Sequence, residues 1–493
     1  MKRILLIILS SIIGVSALSA QNIPTYESHD VVSSKKYQKG SIYQKDLLLY
    51  VDMLLSTHPY YADKAHANAL LKRLNKMYKE CADIDDAVEF QVYLAKIASA
   101  LNDGHTSVPY WMTFKRLFPV RFIIDGDNPV VVDIAPEQQR ELLGKQLKRV
   151  NGHEFCDILA LARPIVSADN GVNFENNLKE YLMFSDFWTL LGFSNEVLKL
   201  EFVDGSTADI CSIGREELRI AMLQSDNVHH VTAQHNSLFD YTIFEKESIC
   251  YMQFNQFADR ITHANYQQLP RFDEFVRDMM AEIESKNIET LVVDLQYNGG
   301  GNSMLGTVLL SWLYPYDELR NMSAEVRISE LLYASYPHYR DFTVGGKPLE
   351  IGRLYDLWGF DHSADYSADV AQQKDPSKHQ INLDREQIFD GNVIFVEGKG
   401  SFSSALLLLT LVRDNNIGTI VGHKAGGRPS HYGDVLYCML PNSGSLVTVS
   451  HKYFVCPNRE LEHEEYLYPD HVIEPKSGER DVIWEWIVEN YAK

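Results

Sequence analysis

From about residue 240 onward the chain repeats one arrangement: a short apolar run, a turn, then a helix. Ile249 to Phe254 alternates like a strand, and Phe272 to Ile283 is an amphipathic helix. Leu291 to Leu295 is an apolar run interrupted only by Asp294, and Met304 to Leu313 is helical. Val393 to Val396, Ala405 to Val412 and Thr419 to Val421 then read as strand, helix and strand. Strands that are apolar throughout are covered on both faces, and helices supply the cover. The pattern predicts an α/β core.

The 250 residues before it read differently. Met1-Lys2-Arg3, the apolar run Ile4 to Val15 and the small-residue end Ser16-Ala17-Leu18-Ser19-Ala20 have the three-part layout of a cleavable secretory leader, cut after Ala20. The run is short for a membrane span, which needs about 20 residues. No Cys follows it to carry a lipid, and no later run is long and apolar enough to insert. The mature chain is therefore expected to be periplasmic or secreted, without stable membrane insertion. Residues 41–102 look helical, with Leu47, Leu48, Tyr50, Val51, Leu54 and Leu55 at helical spacing. A break falls at His58-Pro59, and Asp83-Ile84-Asp85-Asp86 reads as a helix start. Val120 to Ile124 and Val130 to Ile134 are β-rich runs around Asp125-Gly126-Asp127. The expected division is a leader over 1–20, a helical domain over 21–108, a β-rich domain over 109–235 and the α/β core over 236–493. Between 330 and 390 lies a polar, aromatic-rich insertion holding Asp361, Asp365, Asp369 and Asp375, read as solvated surface or as cover for a site.

Composition narrows the function. With 45% hydrophobic and 23% charged residues the chain is an ordinary globular mix, which excludes disordered and collagenous classes. A net charge of −21 offers no footprint for a phosphate backbone, so no nucleic-acid partner is expected. The widely spaced Cys81, Cys156, Cys211, Cys250, Cys438 and Cys456 define no disulfide framework, and pairing and buried thiols both stay open. His229, His230 and His235 lack the His-Glu-x-x-His spacing of a zinc helix, so no metal and no cofactor is expected.

Four short segments carry candidate chemistry. The first is Asn102-Asp103-Gly104-His105-Thr106, closing the helical region. The second is Asp294-Leu295-Gln296-Tyr297-Asn298-Gly299-Gly300-Gly301-Asn302, after a buried strand and before a helix. It lacks the Gly-Lys-Ser/Thr of a phosphate loop, and its free N–H groups suit an oxyanion. The third is Gly400-Ser401-Phe402-Ser403-Ser404-Ala405, where a serine stands at a strand-to-helix junction; simple helix capping is the alternative. The fourth is the Gly-rich loop Val421 to Asp434, holding Lys424 and Arg428.

Taken in order, Asp-Gly-His-Thr, Asp-Leu-x-x-Asn-Gly-Gly-Gly, Phe-Ser-Ser-Ala, the Val-Gly…Gly-Gly loop and Pro469-Asp470 resemble the S41 peptidases, which include C-terminal processing and tricorn-like proteases. The resemblance implies a crotonase-like (ClpP-like) protease core. Leu143 to His153 is similar to the part of a PDZ domain before its second helix, with a plain β-rich connector the alternative. The resemblance further implies Ser403 as nucleophile and Gly300, Gly301 and Ser404 as the oxyanion hole. In the processing branch a Lys serves as base. An ungapped register puts that position at Arg428, which does not deprotonate in a protein, and Lys424 is usable only with a loop shift. The tricorn-like branch uses a His from an Asp-Gly-His-Thr segment, which here is His105. Its acid, in a run before Pro469-Asp470, falls on His463; a one-residue slip gives Glu464, with Glu462 the other choice and a solvated acidic turn the bland reading. The expectation is an exported serine endopeptidase acting on peptide or unfolded protein. The alternative is a non-catalytic peptide- or ligand-binding protein on the same core.

Overall fold

The computed structural model describes residues 23–109, 116–125, 128–134, 137–214, 217, 234–235, 237–262, 267–361, 378–473 and 481–493. The leader expected over 1–20, His229, His230, Asp365, Asp369 and Asp375 lie outside them.

Two short helices, His29–Val32 and Lys35–Lys39, precede three longer ones: α1 (Ile42–Thr57), α2 (Lys64–Glu80) and α3 (Ala87–Ser99). Each of the three has a side-chain cap. Ser41 and Gln44 form a reciprocal capping box on α1, Asp63 accepts from two amides of α2, and Asp86 accepts from Val88 and Glu89 of α3. α1 stops at His58 because Pro59 disfavours helical backbone in the residue before it. Its apolar residues Leu47, Tyr50, Val51, Met53 and Leu54 are buried, each contributing about 2 kcal/mol relative to exposure.

In the middle of the chain β1 (Val120–Asp125) and β2 (Asn128–Ile134) form an antiparallel pair, as expected. A second sheet orders β3 (Leu147–Val150), β4 (His153–Glu154), β5 (Val197–Phe202) and β6 (Thr207–Cys211) as β4-β3-β5-β6. Between them run α4 (Phe155–Ala162), α5 (Gly171–Tyr181) and α6 (Ser185–Leu190). The segment thus mixes helices with strands, where a β-rich domain was expected. Val172, Phe174, Leu178 and Tyr181 recur at helical spacing and bury the inner face of α5.

The remaining elements are β7 (Phe239–Phe244), β8 (Ile249–Phe254), α7 (Phe272–Ser285), β9 (Thr290–Asp294), α8 (Met304–Leu310), β10 (Ser323–Arg327), β11 (Leu354–Asp356), β12 (Asn392–Glu397), α9 (Ser404–Asn415), β13 (Thr419–Gly422), β14 (His431–Met439), β15 (Leu446–Val455), β16 (His471–Val472) and α10 (Val482–Tyr491). One sheet has the order β16-β13-β12-β9-β8-β7, parallel except for β7. Successive residues of β9 point to opposite faces. Leu291 and Val293 join a core with α7, α8 and α9, whereas Val292 joins one with Ile483 and Ile487 of α10. That two-sided cover is why these strands read as near-continuous apolar runs. α9 is an interior helix, every residue but Arg413 being buried.

A second, antiparallel sheet has the order β11-β10-β15-β14. The long β14–β15 hairpin was not foreseen from the sequence. The helical region is fastened to this sheet: the buried Asp46 carboxylate accepts from the amides of Asn442 and Ser443, and Arg327 donates to the carbonyls of Leu55 and Ser56. All six cysteines are unpaired. Among the described residues no helix is long and apolar enough to cross a membrane.

Candidate active site

Ser403 lies between β12 and the first turn of α9, with φ 54° and ψ −122°. A positive φ on a side-chain-bearing residue costs about 1–3 kcal/mol and persists only where the surroundings hold it. Here they do. Ser401 Oγ donates to Leu295 O at 2.8 Å and accepts from Gly398 N at 3.0 Å, and Phe402 N donates to Asn298 O at 3.0 Å. These bonds tie the serine loop to the glycine loop. Gly300, at φ 100°, backs onto the serine: a Cβ there would stand 2.6 Å from Ser403 Cβ and 2.8 Å from Ser404 N. Glycine is required on both counts.

The amides of the expected oxyanion hole do not behave alike. Gly300 N donates to Asn298 Oδ1 at 2.8 Å, closing a local turn. Its N–H is thereby engaged by a side-chain oxygen. Gly301 forms a parallel bridge with Phe257, so its own N–H and C=O point away from Phe257. Ser404 Oγ donates to that carbonyl at 2.7 Å. Among the described residues, none accepts from the N–H of Gly301 or of Ser404.

His105 reaches the serine from the far end of the chain: Nε2 is 3.1 Å from Ser403 Oγ, between residues 298 apart. Its ring stacks on Phe402 (4.5 Å between centroids) and lies parallel to His431 (5.9 Å). β15 seats the segment. Thr448 N donates to Ser107 O at 2.9 Å, Thr448 Oγ1 donates to His105 O at 2.8 Å, and Ser450 N donates to Thr106 Oγ1 at 3.0 Å.

Two buried acids flank the imidazole, and neither was assigned a role from sequence. Asp103 Oδ1 accepts from His105 N at 2.8 Å and lies 3.7 Å from His105 Nδ1. Asp103 Oδ2 accepts from Ser450 Oγ at 2.7 Å and meets His58 Nε2 at 3.0 Å. Asp169 Oδ1 accepts from Gly104 N at 2.6 Å, while its buried Oδ2 has no partner among the described residues. Burial pushes the Asp103 carboxyl up, but its interactions with His105 and His58 outweigh it, and the group is held well below the usual carboxylate range. Burial dominates at Asp169, which is pushed up to about 6. Burial pushes His105 down, yet Asp103, helped by Asp169 and Asp434, leaves it raised. His431 is lowered to about 3 by burial and by the neighbouring His105. One donor atom each from Asp103, His105 and Asp169 lies within 4.8 Å of the others, a set a divalent cation takes, although both Asp103 oxygens already hold protein donors.

Glu464 is not brought to this group. Its carboxylate accepts from Arg413 Nη1 at 2.9 Å, on α9, and Glu462 pairs with Arg459 at 3.4 Å. The carboxylate within ion-pair reach of His105 is Asp103, at 3.7 Å. Lys424 lies over the Tyr466 ring, 4.1 Å from its centroid. Arg428 Nε donates to Asp169 O at 2.9 Å. The position of a dyad lysine is thus an anchor for the Asp169 backbone. The signal for Asp103 was local: an acid two residues before the histidine, inside the segment already singled out.

No curated protein matches the chain. Among solved structures, it is similar to mature CPAF complexed with lactacystin, with a TM-score of 0.59 and 14% identity over 92% of this chain and 97% of that one. A CPAF point mutant gives 0.60 and 14%, over 93% and 99%. At such identities the likeness shows a shared fold. Over residues 248–473 the sequence matches the model of peptidase family S41. That segment carries β8, the glycine loop, Ser403 and the β14–β15 hairpin, and over it the chain is similar to peptidase family S41.

Proposed function

We propose that this protein is an exported serine peptidase that hydrolyses peptide bonds through an acyl-enzyme. The observation that carries the reading is the 3.1 Å approach of His105 Nε2 to Ser403 Oγ. That is hydrogen-bond reach for a general base and its nucleophile. Ser403 Oγ attacks the peptide carbonyl as its proton passes to His105 Nε2. The Gly301 and Ser404 amides receive the oxyanion, and Asp103 faces the imidazolium that forms. The proton then goes to the leaving amine, and water releases the acid product from Ser403. No cofactor enters these steps. The substrate is a peptide or unfolded segment. The core over 236–493 is read as crotonase-like, preceded by a helical domain over 21–108, a middle domain over 109–235 of PDZ-like kind, and a leader over 1–20 that directs export.

The test is a diverse peptide library incubated with the mature protein and read by mass spectrometry. New termini are expected from wild type and none from Ser403→Ala. A library left intact by wild type overturns the peptidase reading in favour of a binding protein.

The base assignment also sets a pH dependence. A general base works as the neutral imidazole, and His105 is raised above its ordinary value of 6.5. Activity is therefore lost as pH falls through a midpoint above 6.5. A kcat/KM–pH profile with no acid limb rejects a neutral imidazole, and so His105, as the base.

A further inference from the structure

We propose that His58 is a positioning residue for the Ser403–His105 pair, acting through Asp103; the role rests on the peptidase reading above. His58 caps the C-terminus of α1 and is fully buried, its ring 4.6 Å from that of Tyr432 on β14. Its tautomer follows from its contacts. Nδ1 accepts the Tyr60 N–H at 3.1 Å, so Nδ1 carries no proton. The ring proton is on Nε2 and is donated to Asp103 Oδ2 at 3.0 Å. Ser450 Oγ donates to the same oxygen. Oδ1 is left for His105, through its backbone N–H and, at 3.7 Å, Nδ1.

The Asp103 carboxylate is therefore held by donors from three places: α1, the His105 segment itself and β15. With Oδ2 fixed, Oδ1 faces Nδ1, and that favours the His105 tautomer with its proton on Nδ1 and a free lone pair on Nε2. Only that tautomer accepts the Ser403 proton. The other charged or titratable groups around His105 are Asp169, Asp434 and His431, with Arg428 on the Asp169 backbone. Among the described residues none of these donates to Asp103 Oδ2. Packing alone would require only a ring-sized apolar side chain at 58; the paired contacts require a donor at one nitrogen and an acceptor at the other.

The test compares His58→Leu, which fills the space without a donor, with His58→Gln, whose amide puts an N–H near the place of Nε2. Thermal midpoint, kcat, KM and the NMR titration of the His105 ring are measured in each full-length protein. For His58→Leu, kcat is expected to fall by about 10-fold to 100-fold with KM unchanged, the scale found for groups that orient a functional histidine. The His105 titration is expected to move up, because Asp103 loses a donor and its charge bears more fully on the imidazolium. His58→Gln is expected to restore both to within a few-fold of wild type. A folded Leu variant with wild-type kcat and an unmoved His105 titration overturns the proposal. So does a Gln variant as impaired as Leu. If the Leu variant does not fold, Ser450→Ala, which removes the second donor from the same oxygen, replaces it, with the same expected direction. If wild type itself cleaves nothing, the peptidase reading fails separately, and the movement or stillness of the His105 titration still decides the coupling.

Discussion

Ser403→Ala lowers kcat/KM on a peptide substrate by a factor of about 10⁴ or more and leaves the fold intact. The hydroxyl is the proposed attacking atom and the partner of His105 Nε2, so its removal would leave the proposed oxyanion amides with no nucleophile beside them. His105→Ala is expected to lose nearly as much, and the double variant no more than either, because the two residues act as one unit. Stability moves little. The hydroxyl makes one hydrogen bond to a side chain at the edge of the site, worth about 1 kcal/mol. Ser403→Gly should be more stable than Ser403→Ala by about 1 kcal/mol, since glycine takes φ 54° without strain. Kinetics and thermal denaturation on the same preparations check all of these. Cleavage that persists in Ser403→Ala would show the nucleophile to be another residue.

Asp103→Asn is the second large effect, a fall in kcat of about 10³ to 10⁴ with KM little changed. Asp103 is surrounded by donors: His58 Nε2, Ser450 Oγ and His105 N. Asparagine offers one oxygen to them and two N–H bonds against them. Wherever the amide turns, a buried donor faces another donor, at a cost of about 1–3 kcal/mol. With its NH₂ toward His105, it favours an imidazole whose Nδ1 is the acceptor. That tautomer carries its proton on Nε2 and receives nothing from Ser403. Asp169→Asn is the control. Asp169 Oδ1 takes one backbone amide, from Gly104, which asparagine still accepts, so a loss under about 10-fold is expected. The reverse order of the two variants would transfer the orienting role from Asp103 to Asp169. Glu464→Gln, at a side chain paired with Arg413, should leave kcat near wild type.

The limits of sequence reading differ from residue to residue. β8 was expected over Ile249 to Phe254 and is found there. Strands covered on both faces are apolar along most of their length, so the run stands out. The glycine loop and the serine junction were equally plain. Gly300 and Ser403 answer to backbone conformations that few residues tolerate, and that demand is local. The Gly300 amide donates to Asn298 Oδ1, and Asn298 two residues earlier was the available sign of that side-chain turn. The β14–β15 hairpin escaped notice because its buried face is partly polar: Thr448, Ser450 and His451 lie inside, where a strand pattern calls for apolar residues. Thr448 and Ser450 are inside because they hold the His105 segment.

Strand, helix and turn chemistry depend on neighbours within a few residues, and for those the order of residues was sufficient: the α/β core, the two loops and Ser403 with His105 as candidates. Which carboxylate stands beside the imidazole depends on groups hundreds of positions apart. Glu464 was plausible along the chain, but α9 presents Arg413 to it. Asp103 holds its place because α1 delivers His58 and β15 delivers Ser450 to one buried oxygen. A buried charge is stable only where enough donors converge on it, and that convergence is made by tertiary packing.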